Sequence, residues 1–222
     1  TLVSKPSQQD FVDTMRLILA STSPRRREIL ALLGLPFDVI EPDFEETLSS
    51  LRSIEEEVIE FAVGKAQSVA RQNPQAVVIG SDTMISLDGA KIGKPRDLSD
   101  ARAMLVKLAG RTHLIYTSVA IIDGSGGPGL KVIEKVTVRM GDFSDARVED
   151  YLACGESLDK AGAYSIQGEG RQLIASIDGD YLAAVGLPLK GIAEYLEDRG
   201  IAVPLSIDSL YAKKSFMNWQ SF

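Results

Sequence analysis

Cysteine and histidine are almost missing from the 222-residue chain, which has one of each, Cys154 and His113. An internal disulfide is therefore excluded, as is a structural zinc cage built from several thiolates or imidazoles. His113 lies in "RTHLIYTSVAII", which reads as a strand, so its expected role is structural. A lone cysteine fits a reducing compartment. Long apolar runs are also lacking: "VVIG" and "SVAII" fall far short of the roughly 20 residues of a membrane-crossing helix. No charged-then-apolar leader is seen, so the expectation is a cytoplasmic protein without a membrane partner. An excess of positive charge is absent as well. The 24 Lys and Arg face 31 Asp and Glu, a net charge of −7. That is the opposite of a nucleic-acid-binding footprint, and any phosphate site must be a local concentration of charge.

What the chain does have is 45% hydrophobic and 25% charged residues, enough for a core without staples. Its elements alternate, which indicates an α/β fold. Strand 17–20 leads into helix 24–33, strand 36–40, helix 54–72, a strand through "AVVIGSDTMISLDG" that turns at Asp88-Gly89, and helix 99–109. A hairpin, helix 144–153, strands around 172–184 and a last helix 188–198 follow. Residues 1–15 and 200–222 lack sustained periodicity and read as N- and C-terminal extensions of one domain spanning 16–199. "GSGGPG" at 124–129 formally matches a dinucleotide fingerprint. The fingerprint needs a helix after it, whereas Pro128 and "KVIEKVTV" announce a strand, so it reads as a hairpin loop.

Several residues break their local rules. In "SPRRR", Ser23 reads as an N-cap and Pro24 as the first helical residue, yet Arg25, Arg26 and Arg27 occupy a first turn where the helix dipole disfavours positive charge. Lys65 falls on the apolar stripe of Val58, Phe61, Ala62, Ala66 and Val69, where a cation either snorkels outward or meets an anion. Asp82 follows an apolar strand and is expected where that strand ends, as a crevice residue or a turn aspartate. Glu45 and Glu46 are either solvated charges or, with Asp82, oxygen ligands for Mg²⁺ or Mn²⁺. Lys94 and Lys160 stand in loops with small neighbours. Together these residues suit a polyphosphate carrying a divalent cation.

These motifs resemble the Maf family of nucleoside triphosphate pyrophosphatases: "LILASTSPRR", the "EE" at 45–46, "VVIGSDTMISLDG", "GKPRD", "DKAGAYSIQG" and "IDGDYLAAVGLPL", in order over residues 16–199. The resemblance implies an elongated mixed sheet with flanking helices and two lobes around a central cleft, a Maf- and ITPase-like fold. It implies hydrolysis between the α and β phosphorus with a divalent metal, Mg²⁺ or Mn²⁺, and a homodimer, although no interface is legible. By the same resemblance Asp82 is the water-activating base and a metal ligand, Glu46 the second metal ligand, and Ser21, Arg26, Lys65 and Lys94 the phosphate-binding residues. Arg25, Thr83 and Gln167 occupy the base-selecting positions of the branch that prefers dTTP and UTP. Gly93 departs from relatives that carry glutamate there. A triphosphate at the helix start would reconcile the arginines with the dipole. Neither a G-x-S-x-G elbow nor a P-loop is present, which argues against a serine hydrolase or a γ-phosphate NTPase. The competing reading is a non-catalytic nucleotide sensor linked to cell division.

Overall fold

The computed structural model describes residues 16–49, 51–124 and 129–222. The 1–15 extension and the centre of the "GSGGPG" loop lie outside the described residues. In chain order the elements are β1 (Leu17–Ala20), α1 (Pro24–Ala31), β2 (Asp38–Ile40), α2 (Ile54–Ala70), β3 (Val77–Leu87), β4 (Ala90–Ile92), α3 (Leu98–Leu108), β5 (Thr112–Asp123), β6 (Leu130–Met140), α4 (Asp145–Ala153), β7 (Ile174–Asp178), α5 (Tyr181–Val185), α6 (Leu189–Asp198) and α7 (Ile207–Lys213). Short 3₁₀ turns cover Ala161–Ala163, Gly168–Leu173 and Trp219–Ser221. The strands form one seven-stranded mixed sheet in the order β2-β1-β3-β5-β6-β7, with β4 added to β3. This is the α/β class that the alternation implies and the mixed sheet that the resemblance implies.

The register of β3 creates the cleft. On one edge β1 runs parallel to it and stops at the Ala20–Gly80 pair. On that same edge β4 begins only at Ile85. The opposite edge is covered by β5 from Val77 to Ser86. From Ser81 to Met84, therefore, β3 has no strand beside it on the β1 side among the described residues. Asp82 and Thr83 sit in this gap, so Asp82 lies inside a continuous strand and not at its end. The crevice still lies beyond the carboxyl end of a parallel strand, but that strand is β1.

Helix α2 carries Lys65 close to this gap. A capping box between Ser53 and Glu56 starts the helix. Its apolar stripe packs on the sheet so closely that a Cβ on Gly80 would stand 2.3 Å from the Ala62 carbonyl oxygen. Glycine at position 80 is thus what lets helix and strand approach.

The strand passage expected around 172–184 ends sooner than its apolar pattern suggests. Asp180 caps α5, its Oδ1 accepting from the Leu182 and Ala183 amides, and all five helical residues are buried. Periodicity alone cannot tell a short buried helix from a strand. Beyond Asp198, Leu210, Phe216 and Trp219 are buried and join the main core. Their contacts are aromatic and irregular, which is why no periodicity announces them.

His113 is buried on β5, its Nε2 2.7 Å from the Tyr164 hydroxyl and its Nδ1 without a partner. Burial lowers its pKa to about 4. Between that value and the 6.5 of an unfolded histidine, the unfolded chain binds the extra proton, so stability falls as pH falls through this window. Relative to His113→Gln, the unaltered protein should lose about 2 kcal/mol between pH 7.5 and pH 5, and nothing between pH 7.5 and 8.5, in urea unfolding.

Candidate active site

The β3 gap opens into a cleft of about 510 Å³ lined by Ser21, Arg25, Arg26, Glu46, Lys65, Asp82, Thr83, Lys94 and Gln167, together with Lys160 and other residues. The residues given a role by the resemblance thus meet at one cavity, whereas Glu45 and Arg27 do not line it. Among its lining residues five cations, Arg25, Arg26, Lys65, Lys94 and Lys160, face four carboxylates, Glu41, Glu46, Asp82 and Asp159. In a chain of net charge −7 this is the local concentration of positive charge that an anion requires.

Lys65 and Asp82 are both buried, and Lys65 Nζ lies 2.6 Å from Asp82 Oδ1. The same ammonium lies 2.5 Å from Glu46 Oε1, whose side chain is half exposed. The anion met by the inward lysine is therefore, first of all, the protein's own pair of carboxylates. Burial pushes the Asp82 carboxyl above its ordinary range, against the opposing charges of Lys65 and Arg26. Burial would also raise Glu46, but the hydrogen bond and charge of Lys65, with Lys94 and Arg26 behind them, hold it below its usual value. The two environments pull the two carboxyl groups apart. Glu45 is exposed.

Glu46 is held in place by neighbours that the sequence did not bring forward. Glu57 is fully buried and binds Lys91 Nζ at 2.6 Å while accepting from the Ser49 amide at 2.5 Å. Lys91 also donates to the Ser49 carbonyl at 2.8 Å. Phe44 packs edge-on against Phe61 at 5.7 Å, over Gly64, where a Cβ would fall 2.1 Å from its ring. These contacts fasten the 44–49 loop to α2 and β4. The stripe that exposes Lys65 passes through position 57 as well, so the signal for Glu57 was in the sequence.

The α1 arginines divide. Ser23 caps the helix by accepting from the Arg26 amide, and Ser21 Oγ, buried, accepts from the Ser23 amide at 3.1 Å. Arg26 donates from Nε to the Gly186 carbonyl at 2.9 Å and from Nη2 to Thr83 Oγ1 at 3.2 Å. Burial lowers its pKa, with Asp82 and Glu46 opposing, and a guanidinium keeps its charge at neutral pH. Thr83 also accepts from Thr117 Oγ1 at 3.1 Å, so in this structure its hydroxyl orients Arg26. Ser81 Oγ donates to the same Gly186 carbonyl at 2.9 Å. Gly186 has φ +127°, a conformation that favours glycine, and its place just after α5 and before Leu187-Pro188 is the signal that could have found it. Arg27 is exposed. Lys94 is exposed on its loop, and the neighbouring Gly93 has open space where a side chain would stand. Lys160 donates to the Glu156 carbonyl at 2.9 Å and pairs with Asp159 at 2.5 Å.

Gln167 is partly buried, and its Nε2 is fully enclosed without a hydrogen-bond partner. A donor left unsatisfied in this way has a hydrogen bond to gain when the side chain, which lines the cleft, turns toward a ligand acceptor.

The family model described as Maf-like protein matches residues 16–199. The chain belongs to this family. A dTTP/UTP pyrophosphatase of Moorella thermoacetica is 42% identical over 188 residues, 85% of this chain and 97% of that protein. One of Dictyoglomus thermophilum is 42% identical over 84% of this chain and 97% of that protein, and one of Bacillus anthracis 38% identical over 85% and 97%. No helix among the described residues is long and apolar enough to cross a membrane.

Among the described residues no group of three or more His, Cys, Asp or Glu is placed to hold a metal ion. Two carboxylates nevertheless converge on one ammonium, and a Mg²⁺ ion that arrives with a phosphate substrate needs only one or two protein carboxylates. The donor set fits such a cation.

Arg26→Lys keeps the charge but loses the fork fixed by Gly186 and Thr83. Pyrophosphate should bind at least about tenfold more weakly to this variant in calorimetry, in line with the loss of one charge-assisted hydrogen bond. Equal affinity would make Arg26 a structural brace only.

Proposed function

We propose that the protein hydrolyses nucleoside triphosphates, with dTTP and UTP preferred, to the monophosphate and pyrophosphate. The observation that carries this reading is the buried Asp82 carboxyl in the β3 gap, facing a cleft ringed by cations. The family and the names of its relatives support it.

In this reading the triphosphate lies across the α1 start and the Lys94 loop. Arg26 and Lys94 neutralise the β and γ phosphates, while Ser21 and the Arg25 amide at the start of α1 offer further donors. Asp82 accepts a proton from a water that attacks the α-phosphorus. The bond to the α–β bridging oxygen breaks, and pyrophosphate leaves against the cations. A raised pKa makes Asp82 a better proton acceptor than an ordinary aspartate, and Lys65 keeps enough of it ionised to act. Glu46 and Asp82 would hold the divalent cation. When bound, it supplies charge neutralisation at the phosphate oxygens.

Base choice falls to Arg25, Thr83 and Gln167. Turned toward the cleft, the Gln167 Nε2 donates to a ring carbonyl and its Oε1 accepts from a ring N–H, a pair that thymine and uracil offer and adenine does not. A site that leaves such groups unpaired with the wrong base rejects it strongly.

Incubation with a panel of triphosphates plus Mg²⁺ or Mn²⁺, with products resolved by chromatography, tests the assignment. Pyrophosphate and a monophosphate are expected, with kcat/KM for dTTP or UTP at least about tenfold above ATP or GTP. Asp82→Asn should lose a factor of about 10² or more in turnover, with binding largely kept. Orthophosphate and a diphosphate would overturn the cleavage site. Binding without any turnover would favour the nucleotide-sensor reading instead.

A further inference from the structure

Residues 200–222 lie beyond the family-matched span, yet they reach the back of the cleft. The contact is made by Asn218. Its Nδ2 donates to the Ile166 carbonyl at 2.9 Å, and its Oδ1 accepts from the Tyr181 hydroxyl. Trp219 anchors this arrangement by stacking on Tyr181 with ring centroids 5.2 Å apart and by meeting the edge of Tyr211 at 5.0 Å. Arg171 grips the chain end, donating to the Ser221 carbonyl at 2.5 Å and lying 4.2 Å from the centre of the Phe222 ring.

The segment being held is the one that brings Ser165, Ile166 and Gln167 to the cleft. It belongs to no strand. Its entry is fixed by the Ser165 amide on the Tyr151 hydroxyl at 3.0 Å. Its return is compact, because a Cβ on Gly170 would stand 2.2 Å from the Ser165 carbonyl oxygen. Between these points lies the peptide unit that joins Ile166 to Gln167. A peptide is planar, so the Ile166 carbonyl and the Gln167 amide turn together as one plate. A donor that fixes the carbonyl fixes where the Gln167 Cα stands and so, with its backbone torsion, where its side chain starts. That side chain carries the enclosed, unpartnered Nε2.

We propose that the C-terminal segment is a brace for base selection in which Asn218 is a positioning residue, acting through the Ile166 carbonyl on Gln167. The inference rests on the pyrophosphatase reading and deepens it. A residue that aims another's hydrogen bonds changes discrimination between bases more than it changes the chemistry at phosphorus, because misplacement of a binding group is felt where that group makes contact.

The test measures kcat and KM for UTP and ATP in the full chain. Asn218→Asp keeps the shape and the acceptor for Tyr181 but has no amide donor for Ile166, and Asn218→Ala removes both bonds. Each should raise KM for UTP about tenfold and lower the UTP-over-ATP ratio of kcat/KM by a similar factor, with kcat on ATP within about twofold. Tyr211→Phe removes the hydrogen bond between α7 and Asp180, which does not involve Ile166, and should leave the ratio within about twofold. An unchanged ratio in a folded Asn218→Asp protein overturns the proposal, as does an equal fall in Tyr211→Phe. Should neither Asn218 variant fold, Tyr181→Phe, which frees only the orienting hydroxyl, should lower the ratio about threefold, and no change there overturns the proposal equally. If the unaltered protein releases no pyrophosphate from any triphosphate, the pyrophosphatase reading fails by itself. The same ratio is then read from calorimetric Kd values for UTP and ATP.

Discussion

One ammonium group, Lys65 Nζ, lies against a buried carboxylate and a half-exposed one, and the arrangement of the cleft depends on it. Removing one partner of a buried ion pair generally costs about 3–5 kcal/mol, because the other charge is left without water and without a counter-ion. The fold is arranged so that this pair forms. Gly80 lets α2 lie directly on β3, the interval between β1 and β4 leaves Asp82 accessible from the sheet edge, and the Glu57–Lys91 pair with Phe44 fastens the loop that delivers Glu46.

Much of this was legible in the sequence because it consists of violations of simple rules. A lysine on an apolar stripe, three arginines at a helix start and an aspartate just after an apolar run each contradict local preference, and the lysine, the aspartate and two of the arginines, Arg25 and Arg26, reach the same cleft. The same stripe contains Glu57, which reads equally well as part of an acidic first turn, and the favourable position of acidic residues there hides its burial. The place of Asp82 was misjudged for a different reason. Hydrophobic pattern shows that a strand exists, but not where its neighbours stop, and the gap is a property of β1 and β4 and not of β3.

The C-terminal residues were the least legible part. Leu210, Phe216 and Trp219 are buried, yet their spacing follows neither a helical nor a strand period because a short helix, a turn and a 3₁₀ segment each supply one anchor. Packing of this kind is defined by aromatic rings meeting across long sequence separations, and a one-dimensional pattern holds no record of it. Arg26 is a similar case. Its charge was evident, but its partners, the Gly186 carbonyl and Thr83, come from the far end of the chain and from β3.

In the proposed mechanism Lys65 and Asp82 act as a single functional unit, each holding the other in the state that the chemistry needs. Groups that act as a unit show strongly non-additive losses, whereas independent groups multiply. The direct measurement is a double-mutant cycle in kcat/KM for dTTP with Lys65→Met, Asp82→Asn and the combined variant. If each single change costs a factor of about 10² or more, the combined variant should be no more than about threefold worse than the weaker single one. Losses that multiply to about 10⁴ would show two independent groups and contradict the account.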